Sequence, residues 1–159
     1  MKLPAIDANR LNNRYKNEVG FLKFMTRENY TLGGAGNVVN NLLALEVKTK
    51  LISTAGTGTN SRQLFKLLDK LGVNTDAIVR EEDRPTTKKT RIIASNQHVL
   101  RIDRETTKPV SSNTLAILKK HLEKEIMQAD IILVSDYGKG LITNEFMSTI
   151  VSYAKKYDN

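Results

Sequence analysis

The sequence predicts an α/β domain, an α/β sandwich with a small separate sheet, and three observations carry that reading. Apolar residues recur at helical spacing in several segments, and short β-type runs stand between them. Strand and helix therefore alternate along the chain, as they do where helices cover a mostly parallel sheet. The run Ile131-Ile132-Leu133-Val134 has no polar face, which suits a parallel strand covered on both sides.

In chain order, residues 1–20 are polar, show little periodicity and read as a poorly specified leader. Phe21–Met25 reads as a short strand leading into the glycine-rich turn of residues 32–36. From Asn37 to Leu45, Val38, Leu42 and Leu45 fall on one helical face, widened by Val39 and Leu43. Lys48–Ala55 predicts a strand, and Asn60–Leu71 a helix capped by Asn60 or Ser61 and stopped by Gly72. Asp76–Val79 predicts a short strand. Thr86–Ala94 and His98–Asp103 are β-rich pieces joined by the turn-prone Ser95-Asn96-Gln97. Beyond Pro109, Ser111 and Ser112 open a long helix to about Gln128, striped by Leu115, Leu118, Leu122 and Ile126, and Thr143 starts the last helix.

Composition narrows the function. The 159 residues are 40% hydrophobic and 26% charged, ordinary globular usage that can bury one core. With no cysteine there is no thiolate metal site or disulfide, and His98 and His121 read as surface or packing residues, so no metal centre is expected. No signal-peptide core or membrane-length apolar stretch is present, and the chain reads as cytoplasmic. The net charge is +8, and much of it lies in Arg84, Lys88, Lys89, Arg91, Arg101 and Arg104, opposed within that segment only by Asp103. That segment has no aromatic residue on which bases stack, so a small phosphorylated ligand is preferred to nucleic acid.

Three constellations carry chemistry. In Leu32-Gly33-Gly34-Ala35-Gly36-Asn37, glycines open directly into a helix, whose start directs N–H groups and a positive dipole end at the turn. Asn37 adds a side chain that both donates and accepts. A connector and helix start without a ligand is the alternative. Ser135-Asp136-Tyr137-Gly138-Lys139-Gly140 follows the expected buried strand, at the strand end where α/β sheets gather ligands. Asp136 suits hydroxyls and Lys139 suits phosphate; an Asp turn with a solvated Lys is the alternative. If the β-rich pieces pair as a hairpin, Lys89 and Arg91 share one face of the first, and Arg101 and Asp103 share one face of the second, opposite Leu100 and Ile102. These groups form a basic lid or a solvated strand face. Gly56-Thr57-Gly58-Thr59-Asn60-Ser61, with Asp76 downstream, imitates a dinucleotide fingerprint, but Ser61 stands where its third glycine belongs, leaving a nicotinamide dehydrogenase as a lesser alternative.

Four of these segments, in this order, resemble the ribokinase-like or PfkB carbohydrate kinases. They are Leu32–Val38, Thr86–Ile93 with Lys89 and Arg91, Asn96–Asp103 with Asn96, Gln97 and Arg101, and Val134–Gly140 with Asp136 and Lys139. The glycine pair is shared across that superfamily, whereas the other three look like the branch that phosphorylates heptose 7-phosphate. The resemblance runs from about residue 21 to the end.

The resemblance implies a three-layer α/β/α fold, present in its N-terminal part, with a lid formed from residues of about 21–32 and 86–103. It implies phosphoryl transfer from ATP, with Mg²⁺, to the anomeric hydroxyl of D-glycero-β-D-manno-heptose 7-phosphate, on the route to ADP-heptose and lipopolysaccharide core. Gly33 and Gly34 would form a hinge beneath the lid and Asn37 would meet sugar hydroxyls. Lys89, Arg91, Asn96, Gln97 and Arg101 would lie on or beside the lid, and Asp136 and Lys139 would border the sugar. Members often dimerise by pairing lids, which implies a homodimer. The family's first strand ending in an Asp, its later glycine-rich loop with the catalytic Asp, and its ATP-binding segments have no counterpart here. The chain is therefore expected to be a truncated kinase carrying the sugar side, inactive alone, with no catalytic residue of its own.

Overall fold

The structure, a computed structural model, describes residues 27–94 and 97–157. Its elements are α1 (Ala35–Ala44), β1 (Ser53–Ala55), α2 (Thr59–Lys70), β2 (Ile78–Arg80), β3 (Lys88–Ala94), β4 (Gln97–Arg104), α3 (Ser112–Ile126) and α4 (Asn144–Tyr157). The expected strand at Phe21–Met25 and the leader lie outside the described residues.

β1 and β2 pair in parallel, with Ser53 opposite Ile78 and Ala55 opposite Arg80. Successive side chains on a strand point to opposite faces, and each face here meets different helices. Ala55 and Ile78 join Val39 of α1 and Leu68 of α2 in one cluster. Ile52 and Val79 pack the other way, onto Leu115, Leu118, Leu122 and Ile126 of α3 and Phe146 and Ile150 of α4. Helices thus cover both faces of the pair, which is α/β layering. Leu68 and Leu118 are fully buried, and burying a side chain of that size stabilises by about 1.5–3 kcal/mol.

The helix ends follow from local chemistry. The Ser111 hydroxyl accepts from Thr114 N–H at 3.2 Å, which caps α3 as its sequence predicts. The Thr143 hydroxyl accepts from Phe146 N–H at 3.1 Å at the start of α4. At the end of α2, Gly72 takes φ +68° and Val73 N–H turns back to Leu68 O at 3.0 Å, closing the helix through a left-handed residue. The start of α2 differs from expectation. Gly58 precedes it without a side-chain cap, and Ser61 is buried inside its first turn.

Two strand expectations need correction. Residues 131–134 form no ladder among the described residues. Ile132 packs against the α3–α4 cluster, but Ile131 is 83% and Leu133 57% exposed. One side of the run is covered, and the other is left largely open among the described residues. Residues 27–32, expected to join the lid, are likewise not a strand. They reach the hairpin through side chains instead: Glu28 lies 3.7 Å from Lys88 Nζ, and that ammonium sits 5.0 Å from the Tyr30 ring centroid. Among the described residues no helix is long and apolar enough to cross a membrane.

Candidate functional site

β3 and β4 pair antiparallel, and the register sets the chemistry of each hairpin face. Lys89 stands opposite Asp103, Arg91 opposite Arg101, Thr90 opposite Ile102 and Ile92 opposite Leu100. Directly opposed residues project to the same side. One face is therefore Lys89, Arg91, Arg101 and Asp103, and the other is Thr90, Ile92, Leu100 and Ile102, as the alternation in the sequence predicts. On the charged face Arg101 Nε lies 3.1 Å from Asp103 Oδ1, and Lys89 Nζ 4.0 Å from Asp103 Oδ2. Arg91 has no acidic partner among the described residues and faces another guanidinium. Like charges directly opposed across strands are destabilising, and an anion between them removes that cost.

The loop of residues 135–140 approaches this face from below. Lys139 Nζ lies 2.8 Å from Glu105 Oε1, and Lys89 Nζ lies 3.8 Å from Glu105 Oε2. Glu105 thus stands between hairpin and loop. The hydrogen bond from Lys139 is the main influence holding its carboxyl below the usual range, against partial desolvation, with Lys89 and Arg101 adding to the effect. Asp136 Oδ1 accepts from Gly138 N–H at 2.9 Å, so one of its oxygens shapes the turn.

The glycine turn faces the same loop. Gly34 takes φ +53°, and a Cβ built there would stand 3.5 Å from the Tyr137 ring. The turn satisfies its own amides: Gly36 N–H donates to Gly33 O, and Asn37 and Val38 N–H to Gly34 O. These N–H groups are engaged within the turn and do not form a phosphate cradle. Gly33 has open space around it, and Asn37 is exposed in the first turn of α1.

The base of the loop is held by a largely buried ion pair. Arg84 Nε donates to Glu81 Oε2 at 2.5 Å, Nη1 to Lys139 O at 2.9 Å and Nη2 to Lys108 O at 2.7 Å. Glu81 Oε1 accepts from Ser111 N–H at 2.7 Å, which joins the pair to the start of α3. Desolvation pushes the Glu81 carboxyl up, but the Arg84 and Ser111 hydrogen bonds together hold it below its ordinary value. One guanidinium therefore fixes the base of the loop, the segment after β4 and α3 in one arrangement.

The structure brings together Gly34 with the loop, and Lys89, Arg91, Arg101 and Lys139 around Asp103 and Glu105. It does not bring Gln97 to them. That residue opens β4 opposite Ala94 at the hairpin tip, whereas the loop meets the hairpin base. Asn96 lies outside the described residues. Arg84, counted by sequence among the excess positive charges of its segment, is not available to an outside anion: its side chain is 8% exposed and ion-paired. Glu81, Glu105 and Tyr137 were not singled out; Glu105, the first acid beyond the basic hairpin, carried the clearest signal. Gly56 serves packing, since a Cβ there would stand 2.0 Å from Arg84 O, and Ser61 is buried.

The model of the pfkB family of carbohydrate kinases matches residues 5–157. The span includes most of the segment from which no element was read by sequence. The bifunctional protein HldE of Sulfurimonas denitrificans is 39% identical over 132 residues, covering 83% of this chain and 28% of that protein. The HldE of Desulfatibacillum aliphaticivorans is 42% identical over 125 residues, covering 79% and 26%. That of Helicobacter hepaticus is 41% identical over 128 residues, covering 80% and 27%. The chain spans about a quarter of the length of these relatives.

Proposed function

The chain belongs to the pfkB family of carbohydrate kinases, and from that premise we propose that it carries the sugar-phosphate side of a kinase acting on the anomeric hydroxyl of heptose 7-phosphate, in the formation of ADP-heptose. The observation that supports this most is the cation face of the hairpin. Arg91 opposite Arg101, with Lys89 beside them and Lys139 below, concentrates positive charge around two acids that do not match it. Guanidinium forks suit a phosphate geometrically and electrostatically. The exposed Asn37 and the second oxygen of Asp136 suit sugar hydroxyls, and the Gly33–Gly34 turn, stacked against Tyr137, suits a hinge. Asn96 and Gln97 belong to the proposal through the family's motif.

Family membership implies ATP as phosphoryl donor. The residues described do not fit a resident Mg²⁺, because no group of three or more His, Asp or Glu side chains is placed to hold a metal. Asp103 and Glu105 are occupied by Arg101 and Lys139. Another pfkB-type sugar kinase acting on a phosphorylated sugar remains the second reading. The apolar face of the hairpin supports a homodimer made by pairing lids, since Ile92, Leu100 and Ile102 are 42%, 53% and 50% exposed there. Calorimetric titration tests the substrate class. Heptose 7-phosphate binds the chain, heptose without phosphate binds at least about tenfold more weakly, and Lys89→Ala with Arg91→Ala erases that difference. Equal affinity for both sugars refutes the phosphate assignment.

A further inference from the structure

Glu105 touches both halves of the candidate site. It directly follows β4 at the base of the hairpin. Its Oε1 takes Lys139 Nζ of the loop at 2.8 Å, while its Oε2 lies 3.8 Å from Lys89 Nζ of the hairpin. That second oxygen is buried and has no hydrogen-bond partner among the described residues. A buried acceptor left unpaired is costly, and Lys89 is about 1 Å beyond the length of a charge-assisted bond to it.

The neighbouring charges are divided between two acids. Asp103 holds Arg101 at 3.1 Å and Glu105 holds Lys139 at 2.8 Å. Lys89 stands between them, 4.0 Å from one carboxylate and 3.8 Å from the other, close enough to be steered and too far to be bonded by either. Arg91 has no acid at all among the described residues. Lys89 and Arg91 are therefore the cations left to meet an incoming phosphate, while Lys139 and Arg101 are fixed in place.

We propose that Glu105 is a positioning residue of the sugar-phosphate site: it anchors Lys139, steers Lys89 and sets how closely the hairpin approaches the loop. The proposal rests on the sugar-phosphate reading of that site. A small inward movement of the hairpin completes the missing bond at Oε2, so Glu105 favours a closer approach of hairpin and loop without contacting the sugar.

The sign of the effect separates this role from that of a bystander. Removing a nearby negative charge strengthens anion binding when the charge does nothing else. Glu105→Gln instead weakens heptose 7-phosphate binding about tenfold, the loss that follows from one charge-assisted hydrogen bond. Glu105→Asp keeps the charge but withdraws it by one methylene, and it weakens binding as well. A bystander charge would leave Glu105→Asp like the unaltered chain. Hydrogen exchange on the ligand-free protein gives an independent reading. In Glu105→Gln the amides of β3, β4 and residues 136–140 exchange about tenfold faster, while those of α3 and α4 are unchanged. Tighter binding by Glu105→Gln, or unchanged exchange in the hairpin, overturns the proposal. If the unaltered chain takes no heptose 7-phosphate while hairpin exchange still responds to Glu105→Gln, the substrate reading fails and the tether between hairpin and loop stands.

Discussion

Replacing Arg84 by Met tests the arrangement beneath the site. The substitution keeps apolar bulk but removes three hydrogen bonds, to Glu81 Oε2, Lys139 O and Lys108 O. It also leaves Glu81, whose side chain is 14% exposed, as a charge whose remaining partners among the described residues are Ser111 and Thr114. Breaking a buried pair from one side costs about 3–5 kcal/mol, mostly because the remaining charge is stranded. For a chain of this size that lowers the melting temperature by roughly 10 °C. Adding Glu81→Gln relieves the stranded charge, so the double variant melts above Arg84→Met alone. Thermal and urea unfolding by circular dichroism measure both. A fall smaller than about 2 °C, or strict additivity of the two changes, refutes the claim that one ion pair joins loop, linker and helix. The pH dependence follows from the same pair. Glu81 has a folded value below its unfolded one, so its contribution is complete above about pH 4.3 and is lost as pH falls through the lower folded value. The acid-unfolding slope is correspondingly shallower in Glu81→Gln.

Three further outcomes follow. Gly140→Ala places a Cβ 2.0 Å from Lys108 O at a residue of φ +75°, and urea unfolding shows a loss of about 2–4 kcal/mol. Ser111→Ala removes the α3 cap and costs about 1 kcal/mol in the same assay. Ile102→Glu puts a charge in the exposed apolar face of the hairpin; if lids pair, sedimentation shows dimer for the unaltered chain and monomer for the variant, with the melting temperature within about 2 °C.

Elements governed by local periodicity were legible in the sequence. The stripe Leu115, Leu118, Leu122 and Ile126 and the cap at Ser111 give α3 within a few residues of its observed span. Alternation in Thr86–Ala94 and His98–Asp103 gives the hairpin, observed as Lys88–Ala94 and Gln97–Arg104, and the charged face at Lys89, Arg91, Arg101 and Asp103. Strand 131–134 failed because an apolar run declares that it wants cover, whereas a strand also needs a ladder partner, and no period reports that. The same limit applies at the site. Lys139 and Lys89 were visible as cations, but their common partner Glu105 is set by how the segment after β4 crosses the loop. The sequence shows Arg84 as a charge but not its shielding, which depends on carbonyls of Lys108 and Lys139, distant in sequence.

In the proposed function the glycine turn, the hairpin face and the 135–140 loop form one site for a phosphorylated sugar. An NMR titration of the isotope-labelled chain with heptose 7-phosphate tests it most directly. Saturable amide shifts are expected at Gly33–Asn37, along Lys89–Arg91 and Arg101–Asp103, and at Asp136–Gly140, all fitting one dissociation constant and all reduced by Lys89→Ala with Arg91→Ala. Shifts confined to the opposite end of the parallel strands, at the small cavity lined by Lys50, Asp76 and His121, contradict it, as do shifts of the hairpin alone with the loop and glycine turn silent.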